Sequence, residues 1–497
     1  MKQVINILPN RKEYCLLVKG AFENDFCDKL IESKKALFKE AKTHYPTSYR
    51  NNERQVEDNA KLSKLLFQEI KNYIPDVIEI DGISIQEGGK WKLDGLNSRL
   101  RICRYLPNQY FNKHLDGVHF VSEIKQSKLT FMIYLNGSED FEGGRTLFFN
   151  SKEDDTIIGY YEPQKGDLII FDHNLWHSGE TVLKGEKYIL RSDILYQKVN
   201  RSNQVKRGFC GEGHLGYIWA VNVFNDKLVT AGRDKKIKLW SEEGAKVTEI
   251  IGHENSVLSL MVFDKETVIS ASRDMYVKIW KIIEDEFQLA KILKCHEGTV
   301  LCLCKINEYE FLSGGADGML NQITIDGELK NKFKANNDWI WDVVKIDSDY
   351  FATIGEDGSM KIWDYFNKAE IVSWKENVPI NSIVVDAEII FIGRFDGLIV
   401  KLKFNKLDNQ LIEIEREKCH DGIIRRLMVD DDFLYSASED NTLKIWHKKN
   451  FDLAESIEHK NFVQDVALMS DSVITVSYDG EINKNKKPVK NNSSFDK

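Results

Sequence analysis

The segment QYFNKHLDGVHF, residues 109–120, places a histidine and an aspartate two residues apart, His114 and Asp116. Side chains two residues apart on a β-strand project from the same face, so a strand here would present an imidazole and a carboxylate together. A non-haem Fe(II) oxygenase binds its metal through two histidines and one carboxylate on one face. The pair therefore offers two of three iron ligands, and a polar pair at a strand end is the alternative interpretation.

A third ligand has to come from a distant part of the chain. The segment GDLIIFDHNLWHSGETV, residues 166–182, contains two candidates, His173 and His177. The eight cysteines are scattered and no pair has zinc-finger spacing, so they are interpreted as reduced thiols, most of them buried. The residue types favour iron over zinc, and the spacing alone leaves both histidines open.

The first 200 residues predict helices followed by many short strands. Apolar periodicity predicts helices over residues 22–41 and 59–74. Runs of β-branched and aromatic residues separated by glycine or proline predict strands over 99–106, 128–136, 146–150, 156–163, 166–172 and 187–197. This order indicates a sheet sandwich backed by helices.

Ordered sequence blocks carry a family resemblance over about residues 15–197. The blocks are YRNNERQ, RYLPNQYFNKHLDG, FMIYLN, EGGRTLFF, PQKGDLIIFDHNLWHSG and VLKGEKYILRSD. They resemble the prolyl 4-hydroxylase type of 2-oxoglutarate- and Fe(II)-dependent dioxygenase. The resemblance implies a double-stranded β-helix, a jelly-roll barrel with iron in its mouth. Asn108 stands where the family has glycine, and asparagine tolerates the left-handed conformation that such a turn needs.

The resemblance also assigns roles to individual residues. It implies that His114, Asp116 and His177 bind the iron, with His173 at a strand end or behind the ligands. His119 is expected on the substrate side or in a structural role.

The cosubstrate needs a cation for its distal carboxylate, and the family places one about ten residues after the distal histidine. That position is Lys187, and Arg191 on the same strand faces the same way as its rival or helper. Tyr134 and Tyr105 match family positions near the cosubstrate, and buried core tyrosines are the competing interpretation.

The implied reaction converts 2-oxoglutarate and dioxygen to succinate and carbon dioxide while a substrate is hydroxylated, with L-ascorbate as a reductant. A peptidyl residue, proline first, is the leading substrate. The alternative function is an interaction scaffold that carries an inactive oxygenase fold.

The second half of the chain repeats itself seven times. Segments such as LVTAGRDKKIKLW and LYSASEDNTLKIW each read as a strand, an acidic turn, a second strand and a tryptophan. The turn aspartates are Asp234, Asp274, Asp317, Asp357, Asp396, Asp440 and Asp479, at spacings of 40, 43, 40, 39, 44 and 39. This is the period of a propeller blade, and the repeats look like WD40 repeats over about residues 211–485.

The repeat resemblance implies a hydrogen-bonded cluster in each blade. In the first blade its members are His214, Thr230, Asp234 and Trp240. Blades three and five lack the tryptophan, with Ile325 and Leu402 in its place, and blades four and five lack the histidine, so these blades are expected to be less well pinned. The last repeat lacks an outer strand, and a segment just before His214, Val205 to Cys210, is expected to supply it.

We therefore expect a mainly β protein with four parts: a dioxygenase domain over 1–198, a linker over 199–210, a seven-bladed propeller over 211–485 and a disordered tail over 486–497. A net charge of −9 lacks the basic footprint of a nucleic-acid-binding protein. The propeller is expected to bind a protein partner or substrate. With no secretory signal or membrane span in the sequence, the expected location is the cytoplasm, with the nucleus as the alternative.

Overall fold

The fold is described from a computed structural model that covers residues 2–40, 46, 49–80, 88–122, 124–152, 154–199 and 211–488. The chain divides into two compact units, Met1–Asn203 and Gln204–Lys497. Most of the predicted linker and tail, residues 200–210 and 489–497, lies outside the described residues. Among those that are described, no helix has the length and apolar character needed to span a membrane.

The first unit contains seventeen strands and two α-helices in its described part. In chain order they are β1 Val4–Asn6, β2 Cys15–Val18, α1 Asn24–Lys34, β3 Lys39–Glu40, β4 Glu53–Asp58, α2 Ala60–Ile70 (followed by a 3-10 turn, Lys71–Tyr73), β5 Val77–Ile80, β6 Gly89–Leu96, β7 Arg99–Tyr105, β8 Phe111–His114, β9 Phe120–Ser122, β10 Lys125–Tyr134, β11 Phe141–Gly143, β12 Thr146–Phe149, β13 Ile157–Tyr161, β14 Leu168–Asp172, β15 Trp176–Gly179, β16 Val182–Gly185 and β17 Lys187–Lys198. All six predicted strand runs are confirmed.

Two sheets of the first unit enclose a barrel interior. The major sheet has the order β1-β2-β14-β10-β17-β7-β4-β3, and the minor sheet has the order β13-β12-β15-β8. Alternate residues of β10 face opposite sides. Phe131 and Ile133 pack with the helices, whereas Met132 and Tyr134 face the interior between the sheets. This is the expected jelly-roll architecture with helices against its outer face.

The first predicted helix is too long at its C-terminal end. Helix α1 ends at Lys34, and Lys39 and Glu40 pair with strand β4 instead. The ring of Phe38 packs against Tyr188, so tertiary contacts outweigh the local helical pattern. In α2, Leu66 and Ile70 are buried against the core, whereas Leu65 is exposed to solvent.

The second unit consists of four-stranded antiparallel sheets. Its strands in chain order are β18 Gly211–Glu212, β19 Ile218–Phe224, β20 Lys227–Gly232, β21 Lys236–Trp240, β22 Lys246–Ile251, β23 Val257–Val262, β24 Thr267–Ser272, β25 Tyr276–Ile283, β26 Glu286–Lys294, β27 Val300–Lys305, β28 Glu310–Gly315, β29 Met319–Thr324, β30 Leu329–Lys334, β31 Ile340–Lys345, β32 Tyr350–Gly355, β33 Ser359–Asp364, β34 Glu370–Lys375, β35 Ile380–Asp386, β36 Ile389–Arg394, β37 Leu398–Asn405, β38 Gln410–Lys418, β39 Ile424–Val429, β40 Phe433–Ser438, β41 Thr442–His447, β42 Leu453–Glu458, β43 Val463–Leu468, β44 Ser472–Ser477 and β45 Glu481–Lys486. They form seven sheets, which are the blades of the expected propeller.

A strand from the start of the propeller completes the last blade. Gly211 and Glu212 pair antiparallel with Ile482 and Glu481 of β45. Four strands in each blade leave no edge open at this junction, which is how a closed ring avoids an exposed edge. The expectation that a segment just before His214 closes the ring is confirmed, whereas Val205 to Cys210 lie outside the described residues.

The cluster expected in the first blade is present. His214 lies 2.8 Å from Asp234 through Nδ1 and 2.8 Å from Thr230 Oγ1 through Nε2, and the Trp240 indole donates to the same hydroxyl. In blade three the strand register aligns Ile323, rather than Ile325, with the tryptophans of the other blades.

Blades four and five replace the missing histidine with other polar contacts. In blade four the Asn336 amide donates to Ser359 Oγ at 2.8 Å. In blade five a buried ion pair between Arg394 and Glu376 occupies the corresponding place, with Asp396 as a second partner of the arginine. Blades four and five therefore have other polar contacts in place of the histidine. That these blades are held less firmly stays a prediction.

Candidate metal centre

Neighbouring strands of the minor sheet bring two histidines together. His114 is the last residue of β8, His177 lies in β15, and the two are directly paired across the strands. Asp116 follows two residues after His114 on a segment outside any strand. One ligand atom from each of the three side chains lies within 4.8 Å of the others.

Backbone contacts orient both imidazoles. Nδ1 of His114 lies 2.6 Å from the Asn112 carbonyl, and Nδ1 of His177 lies 2.9 Å from the Leu175 carbonyl. A carbonyl only accepts hydrogen bonds, so each Nδ1 carries the proton and each Nε2 keeps a lone pair. The Nε2 atoms lie 3.8 and 3.7 Å from the carboxylate oxygens of Asp116, too far for hydrogen bonds.

The Nε2 atom of His114 is buried and has no hydrogen-bond partner in the described part of the chain. Burial lowers the pKa of both histidines, and each therefore stays neutral, as a metal ligand must be. A buried polar atom without a partner is rare and costly, and a metal ion would satisfy it. Two neutral imidazoles and a carboxylate are a donor set that fits Fe(II).

The carboxylate of Asp116 is held from the major sheet. Thr130 donates to Oδ2 at 2.6 Å, and the Arg191 guanidinium donates to Oδ1. Burial by itself would raise the pKa of Asp116, but the positive charge of the adjacent Arg191 keeps this pKa well below its usual value. The group is therefore an anion at neutral pH and is available to a cation.

Lys187 lies in the same cavity, at the start of β17. It is 2% exposed, and its ammonium group donates to the Gly144 carbonyl at 2.6 Å. The rings of Tyr105 and Tyr134 lie 5.4 and 5.6 Å from Nζ. Burial lowers the pKa of Lys187 to about 8, so the amine is mostly protonated at neutral pH. Lys187 forms no ion pair with any residue that the structure describes.

The other residues singled out from the sequence occupy distinct places. The hydroxyl group of Tyr134 is hydrogen-bonded to Thr146 Oγ1 at 2.7 Å. His173 is buried just after β14, and its backbone carbonyl accepts from the Asp116 amide, so it lies behind the ligand trio. His119 exchanges hydrogen bonds with Ser127 through its backbone. Asn108 adopts φ +68, the left-handed conformation expected for that turn.

Sequence reasoning did not identify Thr130 or Gly144. Thr130 alternates with Met132 and Tyr134 along β10, so strand periodicity would have placed its hydroxyl on the interior face. Gly144 has φ +68, and a Cβ atom there would lie 3.2 Å from Lys187 Cδ. The pair of glycines in EGGRT was a signal that the backbone approaches another group closely.

Comparison with known proteins divides the chain in the same way. Residues 100–192 match the sequence model of the 2OG-Fe(II) oxygenase superfamily. Residues 206–241, 244–281, 327–364 and 413–447 match the WD domain, G-beta repeat. The chain thus contains an oxygenase-superfamily domain followed by WD40 repeats.

Individual relatives resemble parts of the chain. A putative prolyl 4-hydroxylase of Acanthamoeba polyphaga mimivirus is 33% identical over 109 residues, which are 18% of this chain and 41% of that protein. The 77 kDa echinoderm microtubule-associated protein of Strongylocentrotus purpuratus is 21% identical over 52% of this chain and 39% of its own length. The ribosome biogenesis protein WDR12 homolog of Trichoplax adhaerens is 27% identical over 47% of this chain and 55% of its own. The chain spans less than two thirds of each of these relatives.

Proposed function

We propose that the oxygenase-superfamily domain, the first unit of this chain, is an active Fe(II)- and 2-oxoglutarate-dependent dioxygenase. His114, Asp116 and His177 would hold the iron. The observation that carries the proposal is the buried, unpartnered Nε2 of His114 facing a carboxylate and a second imidazole. An inactive relic would have no reason to keep this arrangement, because an orphaned buried nitrogen is destabilising.

The remaining cavity residues suit the cosubstrate. Lys187 offers a buried positive charge with no acidic partner among the residues that the structure describes, and it would pair with the distal carboxylate of 2-oxoglutarate. Tyr105 and Tyr134 confine the ammonium group between their rings. Phe111 and Ile189 line the same cavity with apolar surface and limit the access of water. Bound Fe(II) supplies the activation of dioxygen in this chemistry.

The proposed reaction is hydroxylation of a peptidyl residue, with proline as the first candidate and L-ascorbate as a reductant. The similarity to a putative prolyl 4-hydroxylase of mimivirus supports a prolyl substrate. A peptide array screened for a mass increase of one oxygen atom would test the substrate class.

An anaerobic titration tests the metal and cosubstrate sites directly. Fe(II) and 2-oxoglutarate are added to the full chain, and the visible charge-transfer absorption of the chelate is recorded. The wild-type protein should develop the band, His114→Ala should not, and the neighbouring control His119→Ala should retain it. A well-folded wild-type protein without the band would overturn the proposal and favour the scaffold function.

The propeller would bind a protein, which is the general role of WD40 repeats, and would deliver it to the oxygenase. An aromatic cluster supports a binding face: the ring of Tyr217 stacks on Tyr478 at 3.9 Å, with Trp219 edge-on to both and Arg233 over Tyr217. Tryptophan, tyrosine and arginine dominate binding energy at protein interfaces. The double variant Trp219→Ala, Tyr478→Ala should raise KM for a protein substrate and leave 2-oxoglutarate binding unchanged.

Tyr309→Ala is a control for that double variant. Tyr309 is an exposed aromatic residue in the hairpin loop between β27 and β28, at the opposite end of the blade strands from the aromatic cluster. If the control raises KM as much as the double variant, delivery through the aromatic cluster is wrong. The scaffold function remains the second candidate, because the repeat region resembles proteins named for ribosome biogenesis and microtubule association.

We also propose the cytoplasm as the location, with the nucleus as the alternative. The seven described cysteines are free thiols, as is usual in a reducing compartment. Fluorescence imaging of the tagged chain would test this.

A further inference from the structure

Asp116 is the one member of the ligand trio that lies outside a β-strand. The two histidines belong to paired strands and have backbone partners for Nδ1. Asp116 lies in an irregular segment, and its side chain would have to be fixed from elsewhere to present a constant geometry to a metal. Outer contacts of this kind orient metal ligands and tune metal affinity.

Two side chains on the central strands of the major sheet provide these contacts. Thr130 on β10 donates to Oδ2 of Asp116, and Arg191 on the adjacent strand β17 donates to Oδ1. The side chains of Arg191 and Asp116 are only 12% and 7% exposed, so solvent screens their interaction weakly. Each carboxylate oxygen can accept a second contact, which leaves capacity on Asp116 for a metal ion.

The same contacts separate the roles of the two cations in the cavity. Lys187 and Arg191 are four residues apart on one strand, a spacing of about 13 Å. Arg191 is already neutralised by the buried Asp116, whereas Lys187 has no acidic partner among the described residues. An incoming carboxylate gains more from the cation whose charge is not yet compensated.

We propose that Arg191 and Thr130 are positioning residues that fix the Asp116 carboxylate for metal binding, and that Arg191 is not the cation for the distal carboxylate of the cosubstrate. This inference rests on the proposed function, because it assigns the geometry of the same metal centre.

The test uses Co²⁺ as the metal probe, with the full chain and no turnover. Co²⁺ is titrated and followed through its visible d–d bands, which report both affinity and ligand geometry. Thr130→Val removes the hydroxyl donor at constant shape, and Arg191→Gln removes the charge. Each should weaken Co²⁺ binding about 10-fold or more and alter the bands. Thr130→Ser keeps the hydroxyl and should restore the wild-type affinity and spectrum.

Lys187→Met provides the matched control on the same strand. It should leave the Co²⁺ affinity and spectrum unchanged and weaken 2-oxoglutarate binding to the Co²⁺-loaded protein. Circular dichroism of every variant checks the fold.

The positioning role is wrong if Thr130→Val and Arg191→Gln both bind Co²⁺ like the wild type. It is equally wrong if Arg191→Gln loses 2-oxoglutarate affinity as Lys187→Met does while its Co²⁺ spectrum stays unchanged. A wild-type chain that binds no Co²⁺ would instead overturn the proposed metal centre, and the positioning role with it.

Discussion

Buried histidines occur in both units of the molecule, and their surroundings differ in one respect. In the propeller, His214 and His420 have hydrogen-bond partners at both ring nitrogens, an aspartate at Nδ1 and a hydroxyl at Nε2. In the described part of the barrel, His114 has a hydrogen-bond partner at Nδ1 only, and its Nε2 atom faces a carboxylate at 3.8 Å.

Burial therefore does not distinguish the propeller histidines from the two proposed metal ligands, but hydrogen-bond satisfaction does. The propeller histidines complete networks that pin their blades, and nothing in those networks is left for a ligand. The two proposed ligands, His114 and His177, are oriented by one bond each and keep Nε2 for a further partner. His173, behind them, has no hydrogen-bond partner at either ring nitrogen among the described residues. An unpaired nitrogen in a converging set of donors indicates function, whereas a fully paired one indicates structure.

The largest expected effect tests which histidine is the distal metal ligand. We expect His177→Ala to weaken Co²⁺ binding by more than about 100-fold, since even the loss of an outer contact costs 10–100-fold. His173→Ala removes a neighbouring buried histidine from behind the trio and should change the affinity far less. The measurement is the Co²⁺ titration followed by d–d absorption. Equal losses in the two variants would contradict the assignment of His177.

Removing a propeller histidine should reduce the stability of the protein and leave its metal binding unchanged. His420→Ala removes the partner of Asp440 and of Ser436, and we expect the free energy of unfolding to fall by about 2 kcal/mol. Urea denaturation followed by tryptophan fluorescence measures this, and Co²⁺ affinity should stay within about twofold of wild type, below the effect of any metal-site contact. A stable His420→Ala protein with impaired metal binding would reverse the roles of the two groups of histidines.

The lowered pKa of Lys187 gives a pH test of its role as the cation for 2-oxoglutarate. Because its pKa is about 8, the protonated fraction of Lys187 falls as the pH rises from 7 to 9. Affinity for 2-oxoglutarate should fall in proportion to this fraction, by about 10-fold between pH 7 and pH 9. Lys187→Arg keeps its charge and should show no such fall. Isothermal titration at constant ionic strength compares the two, and identical pH profiles would exclude Lys187 as the cation.

The smallest expected effect comes from restoring the missing histidine to the hydrogen-bonded cluster of blade four. Asn336 stands where blades one, two, three, six and seven have histidine. Thr353, Asp357 and Trp363 are already present in blade four. We expect Asn336→His to stabilise the propeller by about 1 kcal/mol, measured by urea denaturation, through hydrogen bonds to Thr353 and Asp357. A destabilised variant would mean that the contact between Asn336 and Ser359 is the better solution for this blade.

The sequence alone determined features that depend on local spacing. The two-residue interval between His114 and Asp116, the succession of strand runs and the regular recurrence of seven turn aspartates all follow from the repeat of a strand or of a blade. These periods are properties of the backbone, so they survive in the linear sequence and predicted a sheet sandwich backed by helices and a seven-bladed propeller. The barrel and the cluster around His214 were implied by the family and repeat resemblances.

Only the tertiary structure decided what depends on side chains meeting across strands. The end of α1 at Lys34 follows from strand pairing and the packing of Phe38, which compete with a favourable helical pattern. The alternation of residues along β17 placed Lys187 and Arg191 on one face but left their roles open. Their difference arises because Asp116 reaches Arg191 from a distant segment and leaves Lys187 uncompensated. Charge compensation between residues so far apart in the chain has no period, and no local pattern can record it.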